Sequence, residues 1–403
     1  MEQESKKDEG RKLSFGPKLF ELLAKFQEIE LEDVDLQVDE LELWIQPGAG
    51  VVAPAKVVTA PKAKPTKIVE VDFKPPVMEY LGKIAKVKIG ATKSEGGTRG
   101  KTVTIGGERF PAYYLFEGLM PHLPVLSLDV FDTKIPLAKP VKMHVEDVLE
   151  DPAAWAKRSV EKFGAEVVNL HLVSIDPLLK NTSPKEASKT VENVLQAVDV
   201  PLAIGGCGDP HKDLEVFEKV AEVAQGERLL FNSVTLDMKI KRAAEAIKKY
   251  GHVVIAFTAM DLNKARELNR RLYEILPKEH IVIDTTTAAL GYGLDYAFTV
   301  MERTRLAALM GDPELQHPMS SGTTNAWAAR EAWLKMDPQW GPRELRGPIW
   351  ETVTALTLLL AGVDYFMMMH PAAVKTVRDT VAELTSTSKA DASKIADWVT
   401  MKI

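Results

Sequence analysis

The sequence predicts an α/β fold, a (β/α)8 TIM barrel preceded by a small α+β amino-terminal unit, a Pro/Lys-rich linker and a β-hairpin. Three observations carry this expectation. Eight short apolar, β-branched runs begin near Val125, Glu166, Pro201, Arg228, His252, Ile281, His317 and Asp364, spaced 24 to 47 residues apart. The gaps between them have helical character: Leu262, Ala265, Leu268, Leu272 and Ile275 keep the amphipathic period of a helix with one buried face. Helix starts carry capping signals, as at Ser183-Pro184 with Glu186, Asp209-Pro210 and His370-Pro371. Strands alternating with helices imply a parallel sheet, and eight such units over roughly 250 residues match a closed barrel. A doubly wound open sheet usually shows a glycine fingerprint after its first strand, and SLDVFDT (127–133) has none.

Within residues 1–46, Leu19, Leu22, Leu23 and Phe26 have helical spacing behind Pro17. Val34, Leu36 and Val38, then Leu41, Leu43 and Ile45, alternate with polar residues as two short half-buried strands do. Eight of the fifteen residues from 28 to 42 are acidic and none is basic, which reads as a solvated face. Residues 47–76 hold six prolines and five lysines and read as a semi-extended linker. In the lead-in, residues 77–121, strands near 86–89 and 102–105 flank the glycine-rich SEGGTRGK. That tip lacks the spacing of a phosphate loop and no helix comes after it, so it reads as a plain flexible hairpin. Residues 122–403 form the barrel with its carboxyl-terminal helices.

Composition narrows the function classes. With 51 basic and 57 acidic residues the net charge is −6, which argues against general nucleic-acid binding. Cys207 is the one cysteine, too few for a disulfide, a structural zinc site or an iron–sulfur cluster. The first twelve residues are charged rather than apolar, and the longest apolar stretch is far short of a membrane span. A cytoplasmic protein without membrane contact is expected.

In a barrel of this kind, chemistry sits at the carboxyl ends of the strands. Those ends supply Asp129 and Asp132; His171 and Asp176; Gly205, Gly206, Cys207, Gly208 and Asp209; Asn232 and Ser233; Thr258 and Asp261. The last three supply Asp284 with Thr285, Thr286 and Thr287, then Ser320, Ser321, Gly322, Thr323, Thr324 and Asn325, and finally His370. Hydroxyls, amides and glycines suit a broad, polar, largely uncharged ligand better than a phosphate or a metal. The eight histidines include no H-x-H or H-E-x-x-H, and His252 and His280 precede their strands, so metal hydrolysis is disfavoured. Cys207 stands beside a helix start that can lower a thiol pKa, but a packed residue is the plainer reading. Asp209-Pro210-His211 resembles the D-x-H-x-x-G of cobalt-ligating proteins and departs from it at Leu214, so it reads as a helix cap. Met367, Met368 and Met369 read as a buried last strand. Between 322 and 346 stand Trp327, Trp333 and Trp340, which fit either a partner surface or a local mini-core.

IGGCGDP (204–210), LLFNS (229–233), DTTTAALGYGL (284–294) and SSGTTNAWAAREAW (320–333) resemble the small subunit of the corrinoid iron–sulfur protein. The similarity is closer to the delta subunit of the archaeal acetyl-CoA decarbonylase/synthase (CO dehydrogenase/acetyl-CoA synthase) complex and covers roughly residues 70–385. The last of these motifs is the most specific. The resemblance implies a heterodimer with a larger corrinoid iron–sulfur subunit that carries the cluster, and a cobamide (a cobalt corrinoid) shared at their interface. It implies methyl transfer between a tetrahydropterin and the acetyl-CoA synthase site during reversible acetyl-CoA synthesis and cleavage, with acetyl-CoA synthase, CO dehydrogenase and a tetrahydropterin methyltransferase as partners. The chain itself is then auxiliary, with no catalytic or metal-ligating residue and no iron–sulfur cluster of its own. Expected cofactor neighbours are Gly205, Gly206, Gly208, Asn232, Thr285, Thr286, Thr287, Ser320, Ser321, Gly322, Thr323, Asn325 and His370. Two alternatives stay open: a stand-alone pterin-binding barrel methyltransferase using Asp129, Asn232 and Asp284, and a purely structural subunit.

Overall fold

A computed structural model describes residues 74, 77–114 and 118–386. The amino-terminal unit, most of the linker and the stretch after residue 386 lie outside the described residues. A two-stranded antiparallel hairpin, β1 (Val87–Ile89) and β2 (Val103–Ile105), comes first. Eight parallel strands come next: β3 (Val125–Phe131), β4 (Val167–His171), β5 (Leu202–Gly205), β6 (Leu230–Val234), β7 (Val253–Phe257), β8 (Ile281–Asp284), β9 (Met319–Gly322) and β10 (Val363–Met368). They close in sequential order, with β10 pairing both β9 and β3. The expected barrel is what the chain forms.

Among the described residues the helices are α1 (Lys139–Val145), α2 (Pro152–Glu161), α3 (Pro184–Ala197), α4 (Pro210–Val223), α5 (Ile240–Tyr250), α6 (Leu262–Tyr273), α7 (Leu294–Leu309), α8 (Arg343–Leu360) and α9 (Pro371–Leu384). Their starts use the expected caps. Ser183 and Glu186 form a capping box, and Asp209 accepts the amides of His211 and Lys212, satisfying N–H groups that have no partner within the helix. The Asp209-Pro210-His211 segment is therefore a helix start, as its sequence suggests. No described helix is long and apolar enough to cross a membrane.

Inward side chains from alternate strand positions stack in layers, as the two-residue period of a strand requires. The lower layers are apolar: Val125, Val167, Ala203, Leu230, Val253, Val282 and Tyr365 form one cluster with Val87, Ile89 and Ile105 of the hairpin. The hairpin thus plugs the amino-terminal end of the barrel. Its tip departs from the flexible loop expected from glycine content. Arg99 is buried, its Nε donates to Glu227 at 2.7 Å, and its Nη atoms reach the carbonyls of Val198 and Leu195 at the end of α3. A guanidinium satisfying orphan helix carbonyls anchors the tip, because its planar donor fork reaches several acceptors at once. His252 and His317 are structural at this end of the barrel. Burial holds them at about 4 and about 3, and His252 Nδ1 accepts the Leu229 amide.

Candidate functional site

The polar layer lies at the opposite end. Asp129 on β3, Asn169 and His171 on β4, Asn232 on β6 and Asp284 on β8 line up with the inward apolar positions beneath them. Asp129, His171, Asn232 and Asp284 surround a cavity of about 360 Å³, walled also by Phe131, Asp213, Phe257, Thr287, Thr324, Asn325 and Met367, with Asn169 buried behind Asp129 and His171. Its lining carries three carboxylates and neither lysine nor arginine. A larger, shallower groove of about 720 Å³ lies at the hairpin tip and α3, where its buried charges, Arg99 and Glu227, satisfy each other.

The hydrogen bonds of the cup are specific. Asn169 Nδ2 donates to Asp129 Oδ1 at 2.7 Å, and the Thr324 hydroxyl donates to the other Asp129 oxygen. Asp284 accepts the Thr286 amide at 2.8 Å and the Ser320 hydroxyl at 3.0 Å. Burial pushes its carboxyl up to about 6, the two donors pulling the other way. Thr286 has φ +78°, an uncommon left-handed conformation for a β-branched residue, and its hydroxyl donates to the Thr258 carbonyl. Among the described residues no cluster of three His, Cys, Asp or Glu side chains could hold a metal ion.

Of the residues expected near a cofactor, Gly208, Asn232, Thr287, Gly322 and Asn325 line the cup. The others are placed differently. Ser320, Ser321, Thr323 and Thr285 are buried in the wall, where Ser321 bonds both Thr287 and Thr323 at 2.9 Å. Gly205 makes room for the His171 ring, since a Cβ there would lie 2.7 Å from Nδ1. His370 is buried, caps α9 through Nδ1 and stacks on Trp327 at 5.9 Å between ring centroids. Hydroxyls on adjacent strand ends satisfy one another before they satisfy a ligand. Asn169 is absent from the residues expected at the strand ends because it stands inside β4. Its signal is the polar residue at an inward position of VVNLH, two residues before the strand ends.

The β5 end folds around a carboxylate. Asp213 accepts the amides of Cys207 at 2.8 Å and Gly208 at 3.0 Å, and the Cys207 thiol at 3.3 Å. Burial, with Asp213 adding to it, raises the thiol to about 11, so it is a packed thiol and not an activated nucleophile. A Cβ on Gly206 would stand 2.3 Å from the Asp213 carboxylate. Gly206→Ala is expected to cost about 1–3 kcal/mol by forcing this clamp open. Thermal unfolding measures it, and a loss near zero would mean that the loop shifts freely.

The tryptophan segment divides. Trp327 is buried and stacked, with its ring against Gly347, as a mini-core predicts. Trp340 is 44% exposed and belongs to the surface.

Residues 86–335 match the family model described as the CO dehydrogenase/acetyl-CoA synthase delta subunit. The acetyl-CoA decarbonylase/synthase complex subunit delta of Archaeoglobus fulgidus is 53% identical, over 88% of this chain and 80% of that one. Those of Methanocaldococcus jannaschii (46%, over 91% and 92%) and Methanothermobacter thermautotrophicus (45%, over 95% and 96%) are similar along nearly their whole length. Among solved structures, a dihydropteroate synthase from Stenotrophomonas maltophilia aligns with 66% of this chain and 95% of its own, at TM-score 0.46 and 14% identity.

Proposed function

The chain belongs to the CO dehydrogenase/acetyl-CoA synthase delta subunit family, and from this we propose that it serves methyl transfer between a tetrahydropterin and the acetyl-CoA synthase site. It acts as one subunit of the acetyl-CoA decarbonylase/synthase complex, beside a larger subunit that carries an iron–sulfur cluster and a cobamide. The observation that carries the reading is the cup itself: neutral amides and hydroxyls with three carboxylates, one histidine and neither lysine nor arginine. Such a lining repels phosphates and carboxylates and accepts uncharged groups rich in N–H donors.

The donor set fits the amide periphery of a cobamide, but a cavity of about 360 Å³ cannot enclose the macrocycle. The residues of the mouth would therefore hold its edge rather than enclose it. Gly208, where a Cβ would meet nothing within 4 Å, lets backbone approach it, and Asn232, Ser233 and Asn325 face it. Bound there, the cobamide supplies a cobalt centre that takes up and releases the methyl group. This chain contributes the floor, and the larger partner holds the rest. Acetyl-CoA synthase, CO dehydrogenase and a tetrahydropterin methyltransferase complete the assembly.

A second reading is favoured by one observation. Asp129 and Asp284 line a cavity of bicyclic-heterocycle size, where carboxylates complement the N–H groups of a pterin. The mouth then takes the methyl donor itself.

Cobamide absorbance per chain, measured for the purified subunit alone and with its larger partner, tests the assignment. Cobamide bound only with the partner present is the expected result. Four irons and stoichiometric sulfide in the single chain would overturn it. Asp129→Asn with Asp284→Asn is expected to weaken methyl-tetrahydropterin binding at least tenfold if the second reading holds, each lost charge-assisted bond contributing about 1.5–3 kcal/mol. Calorimetry reads the difference.

A further inference from the structure

Asn169 is fully buried, and both protons of its Nδ2 have a taker: Asp129 Oδ1 at 2.7 Å and His171 Nε2 at 2.8 Å. An amide nitrogen has no lone pair to offer, so His171 Nε2 is the acceptor of the second bond. The 3.2 Å approach of Nε2 to Asp129 Oδ1 is therefore two acceptors bridged by one amide rather than an ion pair. A neutral imidazole that accepts at Nε2 carries its proton on Nδ1.

The surroundings leave that proton for the cup. Phe131 stacks on the His171 ring at 5.0 Å and 15°, which fixes the ring plane. Nδ1 lies over Gly205, which has no side chain to cover it, and the side chain keeps 21% exposure. Several neighbouring donors of the lining are turned to the protein: Thr324 donates to Asp129, and Asn325 and Asn232 each direct one Nδ2 proton inward, to the Thr287 carbonyl and to Met367 Sδ.

We infer that His171, held as its Nδ1–H tautomer by Asn169, is a donor by which the cup recognises an uncharged acceptor atom of its ligand. That atom is a ring nitrogen or a carbonyl oxygen on the molecule whose N–H groups meet Asp129 and Asp284. The inference rests on the reading that the mouth takes the methyl donor's heterocycle, and Asn169 is a positioning residue that acts through His171. A ligand of matching shape with a second N–H in place of the acceptor is rejected, because two donors then face each other.

Nitrogen-15 NMR of the full-length chain labelled at histidine, with His171 assigned by loss of its signal in His171→Gln, reads the tautomer without any ligand. An Nδ1–H signature is expected. Asn169→Leu should convert it to Nε2–H, with Asp129 as the new acceptor. Calorimetric titration with methyl-tetrahydropterin should give about tenfold weaker binding for His171→Phe, which keeps the ring stack and removes the donor. An Nε2–H signature in the unsubstituted chain, or unchanged affinity in His171→Phe, would overturn the inference. If the unsubstituted chain ignores the pterin, the reading of the mouth fails and the ligand half of the inference with it. The tautomer is decided independently by the spectrum.

Discussion

Replacing Arg305 by Met is expected to destabilise the barrel by about 3–5 kcal/mol, because it strands two buried carboxylates. Arg305 on α7 is buried and donates to Asp364 of β10 at 2.5 Å, to Glu108 of the lead-in at 3.3 Å and to the Gly362 carbonyl. Two acids share this one guanidinium, so burial and the mutual repulsion of the acids push Asp364 upward while Arg305 opposes them. The location makes the cluster matter. Asp364 Oδ2 also accepts the Met319 amide at 2.7 Å, tying β10 to β9 where the register between them shifts and where β8 and β9 pair through Ile283 and Met319. The cluster therefore fastens the last seam of the closed sheet. Urea unfolding of Arg305→Met should show the loss, and Asp364→Asn in the same chain should restore part of it by removing one stranded charge. A cost under about 1 kcal/mol would mean that water reaches the cluster.

None of that cluster is legible locally. Glu108 and Arg305 stand 197 residues apart, and nothing near either one signals the other. What the sequence does carry is whatever repeats or is punctuated nearby. The spacing of the eight strands, the caps at Ser183 and Asp209 and the two hairpin strands all depend on neighbours within a few positions. The hairpin's place beneath the barrel depends on Val87, Ile89 and Ile105 meeting strands far along the chain, so pattern alone does not reveal it. The mouth is intermediate. Strand ends point to the right end of the barrel, but Ser320, Ser321 and Thr323 turn into the wall while Asn232 and Asn325 face the cavity. Side-chain direction at a strand end is set by register and bulges, such as the shift between Asn232 and Val234, and hydroxyl content does not encode it.

The stability of this protein should fall as pH rises from about 6.5 to 8, and Glu351→Gln should remove most of that slope. Glu351 lies within α8, wholly buried, and accepts the Met369 amide at 2.5 Å and the His370 amide at 3.0 Å where α9 begins. Burial pushes its carboxyl up to about 8, against those amides and the Trp327 indole, with Asp129 adding to the rise. An unfolded Glu, near 4.5, has released its proton by pH 6.5, whereas the folded one holds it until about 8. The native state then binds more protons, so stability is fully present below 4.5 and is lost as pH climbs through the folded value. Buried histidines act in the opposite sense. His252 and His370, both lowered to about 4, add stability as pH rises towards 6.5, so the interval above 6.5 isolates the carboxyl groups. Across it Glu351 accounts for about 2 kcal/mol. Asp364, raised by its burial, contributes a slope of the same sign, which is why the comparison between chains matters more than either curve. Glu351→Gln cannot ionise, but its amide NH2 faces N–H donors, so it should be the less stable chain at pH 6.5. Its disadvantage should narrow by pH 8.5. Parallel curves for the two chains would mean that the carboxylate is already ionised in its ring of amides, and the buried proton would have to be given up.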